Sequence, residues 1–290
     1  MRTLTDKVVV ITGAASGIGR ALAIDAADRG AVLALSDVDE AGLAETAALA
    51  ARRTGRDVTA DRLDVTDRNA VRAYAASVHD RHGRVNVVVN NAGVALHGNF
   101  EEVTYEDFSW VIDVDFWGVV HGSKEFLPYL IASGDGHLVN VSSLFGLLGV
   151  PGQTAYNSAK FAVRGLTEAL RQEMLIAGHP VEVSCVHPGG VKTAIARNAR
   201  ATVGEDKATF AEFFDRRLAR MPADKAARTI LDGVLANRPR IVVGADAKAL
   251  DALVRVLGCR YQRVVARVSR RVVPRPQADS EWMTKDASSA

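Results

Sequence analysis

Two side chains of complementary chemistry lie four residues apart in the run Tyr156-Asn157-Ser158-Ala159-Lys160. The periodicity predicts a helix from Tyr156 to Leu175, so the two side chains share one helical face, one turn apart. A phenol has a pKa of about 10, which is too high for a base at neutral pH, but a neighbouring ammonium lowers that pKa. The pair could therefore perform proton transfer, although taken alone such a pair is usually a solvated helix face.

A hydroxyl from the preceding predicted strand could join this pair. The run Asn140-Val141-Ser142-Ser143 ends an apolar stretch that predicts a strand over 138–141. Carboxyl ends of parallel strands border the ligand crevice of an open sheet, so a serine there can place its hydroxyl in that crevice. This shared location favours a catalytic site over a solvated helix face.

A glycine-rich turn near the start of the chain could bind phosphate groups. The run Thr12-Gly13-Ala14-Ala15-Ser16-Gly17-Ile18-Gly19 follows a predicted strand and opens a predicted helix. Glycine lets the backbone approach a pyrophosphate, and the helix N-terminus supplies free N–H groups and a positive dipole end. A lone glycine motif also occurs in ordinary turns, so the order of strand, turn and helix carries this prediction of a dinucleotide site.

Asp37 stands at the end of the second apolar run, 18 positions after Gly19. A carboxylate at that place accepts hydrogen bonds from the adenosine ribose and repels a 2′-phosphate, which favours NAD over NADP. Neither the glycine turn nor the residues directly after Asp37 include the arginine or lysine that a 2′-phosphate would need. We expect NAD as the cofactor, with NADP as the alternative; a plain N-cap or turn role for Asp37 is the competing interpretation.

The elements that position these groups alternate along the chain. Apolar runs on both faces are typical of parallel strands covered by helices on each side, and the crossover rule favours a doubly wound sheet. We predict an α/β fold with a seven-stranded, parallel, Rossmann-like sheet, in which the third strand, within Asp57 to Asp64, is mostly polar. The predicted strands are Val8 to Ile11, Val32 to Leu35, Val58, Val85 to Val89, Leu138 to Val141, Val181 to Val186 and Ile241 to Val243, and the predicted helices are Ile18 to Ala27, Glu40 to Arg52, Asn69 to His79, Tyr105 to Leu130 and Tyr156 to Leu175.

Composition sets further bounds. The 290 residues are 48% hydrophobic and 24% charged, which suits a globular chain and disfavours a disordered one. No apolar run reaches the roughly 18 residues of a membrane-spanning helix, and Cys185 and Cys259 cannot form a multi-ligand metal site. We expect a cytoplasmic protein without metal, with one catalytic domain over 1–245 and a C-terminal extension over 246–290.

The extension has a distinct charge pattern. Seven arginines lie between Arg255 and Arg275 without an acidic residue among them, so the rest of the chain has a net charge of −5 and gives no basic field for nucleic acid. Apolar residues recur at helical spacing from Leu250 to Val272, which predicts a basic amphipathic helix. Packing on a neighbouring subunit or on the chain's own body and peripheral contact with an anionic membrane are the open alternatives.

The ordered motifs resemble those of the short-chain dehydrogenase/reductase family over roughly residues 5 to 245. They are Thr12-Gly13-x-x-x-Gly17-x-Gly19, Asn90-Asn91-Ala92-Gly93, Ser143, Tyr156-x-x-x-Lys160 and Pro188-Gly189. The resemblance implies Tyr156 as the catalytic acid/base, Lys160 as the group that binds the nicotinamide ribose and lowers the tyrosine pKa, and Ser143 as a donor to the substrate oxygen. It also implies cofactor contacts from Gly13, Ser16, Gly17, Ile18, Gly19, Asp64, Val65, Asn91, Ala92, Gly93, Pro188, Gly189, Val191 and Thr193.

Asp115 departs from the family pattern. In Asp113-Val114-Asp115-Phe116-Trp117-Gly118 it occupies the place of an asparagine that relays a water toward the lysine. An ionised aspartate only accepts hydrogen bonds, so the resemblance predicts a changed relay or a tolerated replacement.

The resemblance implies an NAD-dependent oxidoreductase acting on a secondary alcohol or ketone, and a homo-oligomer, dimer or tetramer, formed through the two long helices. Apolar residues after Ser143 and after Gly93 indicate an apolar substrate. Residues Ala194 to Met221, with Phe210, Phe213 and Phe214, resemble a variable lid. A nicotinamide-binding sensor or scaffold without turnover is the alternative, favoured only by Asp115.

Overall fold

The computed structural model describes residues 1–202, 212, 216 and 219–272; the three predicted lid phenylalanines lie outside the described residues. The main-sheet strands are β1 (Val8–Thr12), β2 (Val32–Asp37), β3 (Thr59–Arg62), β4 (Val87–Asn90), β6 (Gly136–Val141), β7 (Val181–Pro188) and β9 (Arg240–Val243). They pair in parallel in the order β3-β2-β1-β4-β6-β7-β9. This order confirms the predicted doubly wound, seven-stranded sheet.

Helices cover both faces of the sheet. Within the described part of the chain they are α1 (Gly17–Asp28), α2 (Glu40–Thr54), α3 (Arg68–His82), α4 (Tyr105–Ile112), α5 (Gly118–Ala132), α6 (Thr154–Ala177), α7 (Ala223–Leu235), α8 (Ala245–Leu257) and α9 (Tyr261–Val272). Neighbouring residues of β1 serve opposite faces: Val9 and Ile11 join the core with α1, α2 and α7, whereas Val8 and Val10 join the core with α3, α5 and α6. Burial on both sides explains why the strand sequences are continuously apolar.

Three local features differ from the sequence prediction. Strand β3 begins one residue after the predicted Val58, and it is half-buried because it forms a lateral edge of the sheet, which explains its polar sequence. The predicted helix from Tyr105 to Leu130 contains one π-helical turn, Asp113–Trp117, between α4 and α5. A small parallel sheet of β5 (Leu96–His97) and β8 (Arg200–Ala201) was not predicted, since two-residue strands leave no periodic signal.

The predicted C-terminal helix is divided. Gly258, with φ of +52°, ends α8, and a short 3-10 turn leads into α9. Positive φ is the conformation that glycine tolerates best, so this residue sets the break. Val254, Tyr261 and Val265 pack against the body, which realises the self-packing alternative for one face of these helices. The division into domains at residue 245 stays a prediction.

Two buried histidines make the stability of the fold pH-dependent. Burial lowers the pKa of His137 to about 3 and that of His187 to about 4, so both rings are neutral in the folded chain at pH 7. An unfolded histidine has a pKa of about 6.5, so between pH 4 and 6.5 the unfolded state binds more protons than the folded state. Stability is therefore fully present above pH 6.5 and is lost as pH falls.

We expect each of these histidines to lower the free energy of unfolding by about 2 kcal/mol when the pH falls from 8 to 5. Urea unfolding at both pH values measures the loss. His137→Asn should reduce it, whereas the matched replacement of the exposed His179 should not. An equal loss in wild type and His137→Asn would contradict this assignment.

Candidate active site

Tyr156 and Lys160 lie in the first turns of α6. The Lys160 Nζ is 5.5 Å from the centroid of the Tyr156 ring, which confirms that the two side chains share one helical face. Lys160 is buried, whereas Tyr156 is half-buried. The rings of Phe145 and Tyr156 pack edge-on with their centroids 6.1 Å apart, so Phe145 limits the movement of the Tyr156 ring.

The two serines that follow β6 have different roles in the fold. The buried Ser142 hydroxyl donates to the backbone carbonyl of Lys160 at 2.8 Å and so ties α6 to the sheet. The Ser143 hydroxyl accepts the Phe145 N–H at 3.1 Å, and Ser143 lies close enough to the phenol to lower the pKa of Tyr156. Ser143 is thus the serine whose hydroxyl faces the tyrosine.

Asp115 lies in direct contact with Lys160. Its Oδ2 is 3.1 Å from the Lys160 Nζ, and both side chains are buried. Its Oδ1 accepts the backbone N–H of Val94 at 2.7 Å, which fixes the carboxylate in the π-helical turn. At this separation the two charges contact each other directly, without a bridging water between these two atoms.

This ion pair changes the proton affinity of the tyrosine. Burial lowers the pKa of Lys160, but the charges of Asp115 and Tyr156 outweigh burial and leave that pKa above its usual value. Burial also raises the pKa of Asp115, against the opposing charge of Lys160. Burial likewise raises the pKa of Tyr156; Lys160 and Ser143 lower it, and Asp115 raises it further. Asp115 therefore opposes formation of the phenolate.

The glycine turn lies against the end of β4. Gly13 and Gly17 have positive φ, +67° and +55°. A Cβ atom at Gly13 would lie 2.7 Å from the Ala92 Cα, and one at Gly19 would overlap the Gly13 carbonyl oxygen. The Asn91 amide donates to the carbonyls of Thr12 and Gly13, both at 3.0 Å. Only glycine fits these positions, and the fit creates an open backbone cradle.

The end of α1 at this cradle is free of a side-chain cap. Ser16 is the N-cap residue of the helix, which begins at Gly17, but its side chain makes no capping hydrogen bond. The first N–H groups of a helix without such a cap remain available to an anion. Ile18 follows in the first turn and is half-buried.

Asp37 supports the same turn from β2. Its Oδ2 accepts the Ala15 N–H at 2.8 Å and its Oδ1 accepts the Asp39 N–H at 3.0 Å. The N-cap of α2 is Asp39, whose side chain accepts from Gly42, so the N-cap interpretation of Asp37 is wrong. The carboxylate joins β2 to the glycine turn, and its role toward a cofactor stays a prediction.

The remaining predicted cofactor residues lie at the carboxyl ends of the strands. Asp64 is exposed and accepts hydrogen bonds from the Thr66 N–H and hydroxyl, whereas Val65 is buried. Gly93 lies next to the Asp115 carboxylate and the Lys160 ammonium. Pro188 ends β7, and Gly189 and Val191 follow it in the same loop. Further along that loop, the Thr193 methyl group approaches Gly17. The fold thus brings the catalytic and cofactor candidates together at the carboxyl ends of the parallel strands.

Comparisons with known proteins agree with this arrangement. The family model described as short chain dehydrogenase matches residues 7–204. The chain belongs to the short-chain dehydrogenase family. SadH of Mycobacterium tuberculosis, a protein named as an oxidoreductase, is 60% identical over 266 residues, covering 92% of this chain and 96% of that one.

Two solved structures illustrate the cofactor range among the similar proteins. A short-chain dehydrogenase/reductase from Burkholderia phymatum in complex with NAD has a TM-score of 0.82 and 33% identity, covering 90% of this chain and 97% of that one. An alcohol dehydrogenase from Thermococcus sibiricus complexed with 5-hydroxy-NADP has a TM-score of 0.69 and 29% identity, covering 82% and 94%. The family uses NAD or NADP, so this short-chain dehydrogenase is an oxidoreductase that uses a nicotinamide cofactor.

Several residues that organise the site in this short-chain dehydrogenase were not predicted. Asn157 accepts the Val150 N–H at 3.0 Å and donates to the carbonyls of Phe145 and Leu148, so it holds the loop after Ser143. The Tyr261 hydroxyl accepts the N–H of Gly149 in that same loop at 2.9 Å. A polar residue between Tyr156 and Lys160 was the one available signal for Asn157; the sequence gives no sign that α9 would reach Gly149.

Two further residues hold backbone near the site. The His187 Nδ1 lies 2.9 Å from the Ser143 carbonyl oxygen, so the neutral ring must carry its proton on Nδ1 and donate it. The Asp246 carboxylate accepts the Gly190 N–H at 2.9 Å and thereby fixes the loop after Pro188. Both residues act through backbone atoms, His187 on the predicted Ser143 and Asp246 on Gly190, which follows the predicted Pro188-Gly189.

Proposed function

We propose that this protein is an NAD-dependent oxidoreductase that interconverts a secondary alcohol and a ketone. The observation that carries the proposal is the convergence of Ser143, Tyr156 and Lys160 on the edge of the sheet that also bears the glycine turn. A hydroxyl, a phenol and an ammonium in one crevice can hold an oxygen atom and move a proton to or from it.

The cradle at the glycine turn suits a dinucleotide. Its close backbone approaches and the α1 N-terminus, which lacks a side-chain cap, match the shape and charge of a pyrophosphate. When bound, a nicotinamide cofactor supplies or accepts the hydride of the redox reaction. We assign its binding to Gly13, Ser16, Gly17, Ile18, Gly19, Asp37, Asp64, Val65, Asn91, Ala92, Gly93, Tyr156, Lys160, Pro188, Gly189, Val191 and Thr193.

Each catalytic side chain has a distinct proposed task. Tyr156 transfers the proton of the substrate oxygen, acting as a base in alcohol oxidation and as an acid in ketone reduction. Lys160 stabilises the phenolate by its charge, and Ser143 donates a hydrogen bond to the substrate oxygen. Asp115 modulates this chemistry through its ion pair with Lys160.

An apolar substrate fits the surroundings of Tyr156. Phe145 in the loop after Ser143 and Val94 after Gly93 are only partly buried and pack near Tyr156. The polar groups are concentrated at the catalytic residues, as expected where a few hydrogen bonds orient a mainly apolar ligand.

The alternative is a nicotinamide-binding sensor without turnover, for which the charge of Asp115 beside Lys160 is the specific support. A panel of apolar secondary alcohols and ketones, assayed with NAD, NADH and their phosphorylated forms, separates the two functions. Turnover, followed by the absorbance of the reduced nicotinamide, supports the enzyme. Cofactor binding by calorimetry without turnover on any member of the panel supports the sensor.

Asp37 is expected to set the cofactor preference. Asp37→Asn removes the charge that would oppose a 2′-phosphate but keeps an oxygen that can accept a backbone N–H. We expect the ratio of the Kd for NADP to the Kd for NAD to fall by about tenfold, or 1.4 kcal/mol. Asp39→Asn, the same charge loss at the N-cap of α2, should leave this ratio unchanged. Wild-type protein that already prefers NADP would contradict the assignment.

We also propose a cytoplasmic homo-oligomer, dimer or tetramer. Large apolar side chains are exposed on the two long helical segments, including Trp117, Phe161, Leu175 and Ile176. Such side chains are suited to a subunit contact. Within residues 1–202 and 219–272, the helices are too short or too polar to cross a lipid bilayer.

A further inference from the structure

The C-terminal helices α8 and α9 have an inner face that is held against the body. Val254 and Val265 pack on a cluster that includes Leu144 and Leu147, and Tyr261 accepts the hydrogen bond from Gly149. These contacts fix the rotation of α9 about its axis. The opposite face of the helix is therefore turned to solvent.

That outer face combines exposed arginines with exposed valines. We call it the arginine-valine face and define it by Arg260, Arg263, Arg267, Arg270, Val264 and Val268. None of its arginines has an acidic partner among residues 1–202 and 219–272, and no acidic residue occurs between Asp251 and Val272. The face thus carries four charges without compensating anions.

The valines are an unusual feature of so charged a surface. Val264 and Val268, one helical turn apart, are 44% and 52% exposed, and Val256 at the end of α8 is 83% exposed. At helical spacing the two valines lie beside the arginine row, on the flank nearer to Tyr261, and the arginine side chains, which carry their charge on a long apolar stem, can reach outward past them. An apolar strip beside a row of cations results.

We propose that the arginine-valine face docks on an anionic lipid bilayer. Lipid phosphates supply many anions in one plane, and the acyl boundary just below them accepts short apolar side chains, so both features of the face are used. The rest of the chain, with a net charge of −5, is repelled by such a surface, which favours contact through this end. A nucleic acid would use the arginines but offers nothing comparable to the valines.

Docking also has a consequence that rests on the proposed function. Helix α9 contacts Gly149 in the loop that begins at Ser143, so the bilayer would lie next to an element that borders the catalytic crevice. An apolar alcohol or ketone dissolved in lipid would then have a short path to the site.

Sedimentation of the full-length protein with vesicles tests the docking independently of any activity. We expect binding to vesicles of equal parts phosphatidylcholine and phosphatidylglycerol, weak binding to phosphatidylcholine alone, and loss of binding at high salt. The double variant Arg263→Ala, Arg267→Ala should lower the partition coefficient about 30-fold, taking each arginine near an anionic surface as about 1 kcal/mol. Val264→Ser with Val268→Ser should also weaken binding, although the net charge is unchanged.

The control is Arg52→Ala with Arg53→Ala, an equal charge loss on exposed residues of α2. This variant should bind the anionic vesicles like wild type. Equal binding by wild type and the α9 arginine variant, or an equal loss in the α2 control, would overturn the proposal. So would arginine variants that change the oligomer mass in ultracentrifugation while wild type ignores the vesicles, since the face would then be a subunit contact.

Discussion

Tyr156→Phe is expected to lower kcat about 1000-fold while leaving the Kd for NAD close to that of wild type. The substitution removes the transferable proton but keeps the ring that Phe145 contacts edge-on. General acid/base catalysis contributes about 100- to 10,000-fold, and a loss confined to kcat indicates an interaction made in the transition state. Steady-state kinetics with the substrate found in the panel, together with calorimetry of NAD binding, measure both quantities.

Tyr105→Phe is the matched control for this substitution. Tyr105 is 92% exposed at the start of α4, so removal of its hydroxyl should change neither kcat nor cofactor affinity. A Tyr156→Phe variant with a kcat near that of wild type would show that another group transfers the proton.

Asp115→Leu is expected to destabilise the protein by about 3–5 kcal/mol, because it leaves the buried Lys160 ammonium without its partner 3.1 Å away. The Val94 N–H also loses its acceptor. Chemical denaturation at pH 7 measures this change. Asp115→Asn should recover part of the stability, since an amide oxygen can accept the Val94 hydrogen bond, whereas the amide NH2 then faces the Lys160 ammonium and does not replace the ion pair.

Asp115→Asn has a second expected effect that a purely structural role would not produce. Removal of the carboxylate charge lowers the pKa of Lys160 and also that of Tyr156, since Asp115 raises both in the wild-type chain. Alcohol oxidation requires the deprotonated phenol, so its kcat profile should move to lower pH, with little change in the affinity for NAD. Superimposable pH profiles for the two proteins would show that Asp115 is a tolerated replacement.

The fold was largely predictable because burial on both faces leaves a strong mark on a sequence. Successive valines of β1 and β4 pack into hydrophobic cores on opposite faces of the sheet, so these strands appear in the sequence as continuous apolar runs. The edge strand β3 is the counterpart: half of its residues face solvent, so its sequence is mostly polar and its limits were the hardest to predict.

The grouping of the candidate site was predictable for the residues that belong to ordered motifs. Tyr156, Lys160 and the glycines have fixed spacing because a helix turn or a tight backbone approach requires it. Their roles in catalysis and cofactor binding stay predictions. The contact between Asp115 and Lys160 was predicted only as an indirect one, since the separation of two side chains 45 positions apart depends on how the π-helical turn packs.

The supporting residues left almost no signal. Asp246 and Tyr261 reach the loops at Gly190 and Gly149 from distant parts of the chain, and each acts through a backbone N–H that any residue type would offer. Tyr261 instead fits the apolar stripe of an amphipathic helix, so its hydroxyl contact became visible only in three dimensions.

The central proposal is that a bound nicotinamide cofactor would exchange a hydride with the carbinol carbon while Tyr156 transfers the proton. Its most direct test is reduction of an apolar ketone with NADH that carries deuterium in place of both C4 hydrogens, followed by mass spectrometry of the alcohol. The account predicts one deuterium on the carbinol carbon with wild-type protein, and almost no labelled alcohol with Tyr156→Phe under conditions where both proteins bind NADH. Alcohol without the label, or equal labelling by the two proteins, would contradict it.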